Sequence, residues 1–222
     1  MAEALPRPDD LPDCFPVFPL PGALLLPRGR LPLNIFEPRY LAMTEDALGA
    51  GRLIGMIQPA PRRPAGRTGP GLYRVGCLGR IVAFSETEDG RYLITLFGIT
   101  RFAIVEELPM QRGYRRVRAA LAHYAADRTP PPAAGSCCDR AELLGALRGY
   151  FTRQGIEANW EAIEGMTEEA LVTTLCMACP FDVAEKQALL EAPDLAERAE
   201  ALRTLLAIDS HADFAPGSGR AS

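Results

Sequence analysis

Few residues in this chain have the types and spacing for covalent chemistry, and one lysine decides two of the cases. Lys186 is the only lysine in the sequence and is flanked by Glu185 and Gln187. The Gly-Lys-Ser/Thr core of a phosphate-cradling loop therefore cannot be assembled. The same residue would have to serve as the base of a Ser-Lys dyad, but its place in a helical pattern reads as a solvated face. His123 falls in a strand pattern and His211 follows Ser210 in a polar tail, whereas a nucleophile and its base need fixed elements. Cys176-Met177-Ala178-Cys179 has the spacing of half a zinc or redox site. It lies in an apolar helical run, however, and no second pair has ligand spacing, while Cys137 and Cys138 are adjacent. With Cys14 and Cys77, the cysteines read as reduced, mostly packed thiols. Glu106-Glu107 and Glu168-Glu169 point in different directions along a strand or helix and read as solvated charges. No catalytic residue, metal site or cofactor is expected.

The elements that position these residues change period once along the chain. Residues 15–20 and 31–35 read as strands, the second with Leu31, Leu33 and Ile35 on one face and Pro32 and Asn34 on the other. Pro38 suits the first turn of a helix over 38–49. Further strands are expected at 53–58, 73–85, 92–97 (buried on both faces), 100–107 and 114–124, with a turn at Asp89-Gly90 and a mobile loop at 59–71. After the proline-rich stretch from Asp127 the period becomes helical. Asp139 with Glu142, Asp182 with Glu185, and Asp194 with Glu197 mark helix starts, Thr167 caps another, and Pro180 ends it. The expected division is a flexible tail at 1–13, a β-rich part at 14–126, a linker at 127–138, a helical part at 139–209 and a disordered tail at 210–222.

Composition sets the outer limits. A chain of 222 residues, 48% hydrophobic and 23% charged, can bury a sizeable core. No run approaches a membrane span and the N-terminus lacks an export pattern, so a soluble, cytoplasmic protein is expected. A net charge of −4 gives no general attraction to phosphate backbones.

Several motifs occur in a fixed order: Phe18-Pro19-Leu20, Leu26-Pro27, Leu31-Pro32-Leu33, Ile35-Phe36-Glu37-Pro38-Arg39-Tyr40, Val75 to Ile81, Gly98-Ile99-Thr100-Arg101-Phe102, and Glu185 to Glu191. Together they resemble the N-terminal substrate-binding domain of the Lon proteases over most of the chain. Asn34 departs from the pattern, since family members often carry His there. The resemblance implies an α+β fold, with a PUA-like β pseudo-barrel followed by a helical bundle. It also implies a member without ATPase or peptidase modules that recognises unfolded or partly folded protein segments, as an adaptor or holdase linked to an ATP-dependent protease. Self-association is left open.

Under this reading Phe36, Arg39, Tyr40, Arg101 and Phe102 are the candidate substrate-binding residues. Glu37 and Arg39 are read first as a lock on the strand-to-helix junction. For the aromatics and Arg101, packing at a core edge is the competing interpretation. An RNA-binding module is the main rival, drawing on Arg62, Arg63, Arg67, Arg112, Arg115, Arg116 and Arg118. A hydrolase with an unrecognised site is the third reading.

Overall fold

The computed structural model describes residues 11–66, 68–129 and 139–208. Residues 1–10, most of the expected linker and the expected tail at 210–222 lie outside them, as do Arg67, Cys137, Cys138 and His211. The strands are β1 (Cys14–Pro19), β2 (Arg30–Ile35), β3 (Leu53–Ile57), β4 (Val75–Glu86), β5 (Tyr92–Gln111) and β6 (Tyr114–Ala120). The α-helices are α1 (Pro38–Gly49), α2 (Arg140–Gln154), α3 (Trp160–Glu164), α4 (Glu168–Ala178), α5 (Val183–Glu191) and α6 (Leu195–Ile208).

The strands form one mixed sheet in the order β2-β5-β4-β3-β1-β6, and β5 also pairs with β6. The sheet thus closes on itself, with β2 outside the ring on the first half of β5. This is the expected pseudo-barrel, and its core includes Phe15, Val17, Ile57, Leu78, Phe102 and Val117. Closure removes most free edges, which would otherwise expose unpaired backbone groups.

Strand β5 runs unbroken for 20 residues where the sequence suggested two strands. Gly98 looks like a break but is a crossing point. Its N–H donates to the Gly29 carbonyl (2.9 Å) and its carbonyl accepts from Arg28 N–H (2.7 Å), so the chain entering β2 docks directly on it. A Cβ here would collide with the Leu26 carbonyl, which only glycine avoids. Only one face of 92–97 is buried, against expectation, because Leu93 stays 46% exposed. The 59–71 loop also has structure of its own, with bridges Pro59 to Leu72 and Gly66 to Gly69 and a 2.7 Å bond from Ala60 N–H to the Gly71 carbonyl. Strand β6 stops at Ala120, and a 3-10 segment, Ala122–Arg128, follows.

The described residues group into two compact units, one holding the strands and α1 together with Cys176–Glu191, the other holding residues 139–175 and 192–208. The single helical part expected at 139–209 is therefore corrected: α5 belongs with the strands. Polar residues hold it there. Gln187 Nε2 donates to the Val75 carbonyl at 3.1 Å, and Gln58 Nε2 donates to the Val183 carbonyl at 3.1 Å.

In the other unit, Asp139 Oδ1 accepts from Ala141 and Glu142 N–H, capping α2 as expected. Helix α2 packs on α6, and Phe151 lies between the rings of Tyr150 and Trp160. The short helix α3 was not anticipated. Its cap is Asn159, whose side chain accepts from Ala162 N–H at 3.1 Å.

Candidate functional site

The five candidate binding residues do not form one surface. Phe102 is fully buried, edge-on to Phe15 with centroids 5.0 Å apart. Arg101 is also buried: its N–H and Nε both donate to Asp127 Oδ2 at 2.9 Å, Nη2 donates to Oδ1 at 2.8 Å, and Nη1 reaches the Leu190 carbonyl at 3.3 Å. Tyr40 is buried against Phe18, and burial pushes its phenol above the ordinary range. All three side chains are engaged within the fold, which supports the packing interpretation over ligand contact. Phe36 is 62% exposed at the start of the corner.

Glu37 and Arg39 lock less than expected. Arg39 Nε and Nη2 both donate to Glu37 Oε2 (2.9 and 2.7 Å), with both side chains about half in solvent. The Glu37 carboxylate accepts no N–H from α1. An exposed pair of this kind contributes ~0–1 kcal/mol. We expect Glu37→Ala to lower the unfolding free energy obtained from urea titration by no more than that, and a loss several times larger would restore the locking role.

Lys186 is not on a solvated face: it is only 6% exposed, and its ammonium donates to the Gly22 carbonyl at 2.7 Å. Burial lowers its pKa, with Cys179 opposing. Burial also pushes the Cys179 thiol up to about 11, leaving it a poor nucleophile at neutral pH.

Three arginines of the RNA reading, Arg112, Arg115 and Arg118, are already paired with carboxylates. In the β5–β6 hairpin Arg112 sits at φ 46°, where glycine or asparagine is usual, and reaches Glu45 and Asp46 of α1, each at 2.7 Å. Asp46 also accepts from Tyr114 Oη at 2.7 Å and Gln111 Nε2 at 3.1 Å, and these donors, Tyr114 foremost, hold its carboxyl below the usual range. Burial, reinforced by Asp46, raises Tyr114 to about 12. Arg115 pairs with Glu107 and Arg118 with Glu106. A cleft of about 490 Å³ beside this cluster is lined by Cys14, Phe15, Asp46, Leu53 and Arg116. Its carboxylates are occupied by the network just described.

Another cleft, about 530 Å³, separates the 59–72 loop from the far half of β5. Pairing of β4 with β5 ends at Val75 and Ala103, and the last bond on that side runs from Ile104 N–H to the Arg74 carbonyl at 2.8 Å. Beyond Ile104, β5 keeps β6 on one side and has no strand on the other among the described residues. The β5–β6 register slips between Ile104 and Glu106. A bulge of this kind re-aims side chains, and Val105 is 60% exposed in the cleft. Leu72, Tyr73 and Ile104 add apolar lining. The opposite wall is tied down where Thr68 Oγ1 donates to Glu107 Oε2 and Arg115 Nη1 donates to the Pro70 carbonyl, both at 2.7 Å.

An open strand edge beside an apolar floor can pair with an extended backbone and seat a side chain. Among its lining residues there is no cysteine, serine or histidine to attack a bond. Sequence reasoning missed both Val105 and Asp127. The visible signal for Val105 was an apolar residue directly before Glu106-Glu107. Asp127 opens the expected linker in sequence, yet in the structure it is the partner of Arg101.

Comparison with known proteins gives consistent relatives. Lon protease 2 of Myxococcus xanthus is 29% identical over 209 residues, and Lon protease of Anaeromyxobacter dehalogenans is 27% identical over 211. Each alignment covers 89% of this chain but only 24% and 23% of the relative, so the chain spans about a quarter of their length. The fold matches the N-terminal domain of Mycobacterium avium complex Lon protease at TM-score 0.62 and 19% identity, covering 87% of this chain and 98% of that one. A Lon N-terminal domain protein from Xanthomonas campestris matches at TM-score 0.57 and 22% identity, over 87% and 97% respectively. The family model of the ATP-dependent protease La (LON) substrate-binding domain spans residues 15–207, and the chain belongs to that family.

Proposed function

We propose that the chain recognises extended, apolar segments of protein substrates, without catalysis of its own, and acts as an adaptor or holdase for an ATP-dependent protease. The observation that carries this reading is the open edge of β5 beside Val105 in a chain of the substrate-binding family. Backbone pairing along such an edge supplies affinity without demanding a particular sequence, and an apolar floor selects for residues that folded proteins hide. No helix among the described residues is long and apolar enough to cross a membrane. The RNA reading is weakened because Arg112, Arg115 and Arg118 are each neutralised by carboxylates.

The experiment is a peptide array from unrelated proteins, followed by titration in solution. Signal should track apolar and aromatic content, with affinities around micromolar, since docking an extended chain costs conformational freedom. Single-stranded RNA is the control. If RNA bound with a steep salt slope and no peptide bound at high micromolar concentration, the proposal would be wrong.

A further inference from the structure

We infer that the cleft between the 59–72 loop and β5 takes an extended segment in which an apolar residue is flanked by acidic ones, with Arg63 and Arg74 reading the flanking charge. This rests on the substrate-recognition proposal and narrows it to one chemistry and one place.

The charges around the cleft are not balanced. On the β5 wall, the Glu106 carboxylate is bound to Arg118, and Glu107 accepts from Arg115 and Thr68. Both acids are neutralised where they stand. On the loop wall, Arg74 is exposed and has no carboxylate partner among the described residues. Arg63 spends one N–H on the Leu72 carbonyl (3.3 Å), which orients the guanidinium without cancelling its charge. Arg62 is exposed directly before it. The cleft therefore carries a local positive rim on a chain whose net charge is −4.

The apolar part of the ligand is fixed by Val105, Ile104 and Leu72. The volume of about 530 Å³ suits a few side chains of an extended segment rather than a folded surface. A basic flank would be repelled by Arg63 and Arg74. An acidic flank would meet guanidinium groups suited to carboxylate geometry. Selection against basic neighbours follows from the same charges, so the site discriminates by repulsion as well as attraction.

The test uses fluorescence anisotropy on the full chain with labelled peptides sharing one apolar centre and differing only in Asp/Glu, Ser/Gly or Lys/Arg flanks. At low salt the acidic-flanked peptide should bind roughly tenfold more tightly than the basic-flanked one, with the gap closing as salt is added. Arg74→Glu should bring the two affinities together. Val105→Asp, at an exposed position, should weaken all of the peptides while leaving the melting curve in place. Equal affinity for every flank would overturn the charge reading. Unchanged binding by Val105→Asp would place recognition elsewhere on the chain, leaving substrate recognition itself intact. No binding of any peptide by the unaltered chain would remove both proposals.

Discussion

Asp127→Ala is expected to destabilise the fold by ~3–5 kcal/mol, the cost of leaving a buried guanidinium without its counter-charge. Asp127 accepts three bonds from Arg101, at 2.9, 2.9 and 2.8 Å, and both side chains are buried. Removing the carboxylate leaves the charge in a low-dielectric site, and the Tyr124 ring 4.9 Å from the guanidinium carbon is a weak substitute. Such a loss is a large share of the ~5–15 kcal/mol that holds a typical domain folded. Urea denaturation of the single variant measures it. The double variant Arg101→Met with Asp127→Ala should recover much of the deficit, because it removes the stranded charge as well as its partner. A single variant within error of the unaltered chain would show that the pair is not closed in solution.

The second large effect is at Phe102. Phe102→Ala should cost ~3–5 kcal/mol, combining lost apolar burial with the cavity left behind. The ring packs edge-on against Phe15, and the adjacent strands are shaped around it: a Cβ on Gly76 would lie 2.5 Å from Phe102 Cζ. There is little freedom for neighbours to collapse into the gap. Phe102→Leu, which keeps most of the volume, should cost much less. Peptide affinity per folded molecule should be unchanged in both variants. A stable Phe102→Ala protein that had lost peptide binding would return this residue to the ligand surface.

These variants bear on what the sequence could convey. The motif Gly98-Ile99-Thr100-Arg101-Phe102 marks the family, and three of its residues are committed to construction: a chain crossing at Gly98, an ion pair at Arg101 and a core ring at Phe102. Local signals were read well where their physics is local. Pro38 begins α1 and the helix ends at Gly49, while Asp182 and Glu185 exchange reciprocal backbone bonds of 2.8 Å. Long-range partners were not legible. Lys186 and Gln187 look like a solvated helix face until Gly22 and Val75, 164 and 112 residues away, present carbonyls to them. The cleft was hidden for the same reason, since Val105 is an ordinary strand residue until a register slip turns it outward.

Pro32 gives the outlying strand a different significance. It stands in the middle of β2, paired with Thr95 of β5, in the strand that lies outside the ring. A proline keeps its place in such a ladder when its nitrogen faces away from the partner, so the missing N–H falls on the outer side. A second molecule approaching there finds a gap in the row of donors where a growing β-stack would need continuity. The sheet is therefore capped against propagation from copy to copy along β2, the route by which exposed edges seed fibrils. On this edge one imino acid contributes resistance to such stacking.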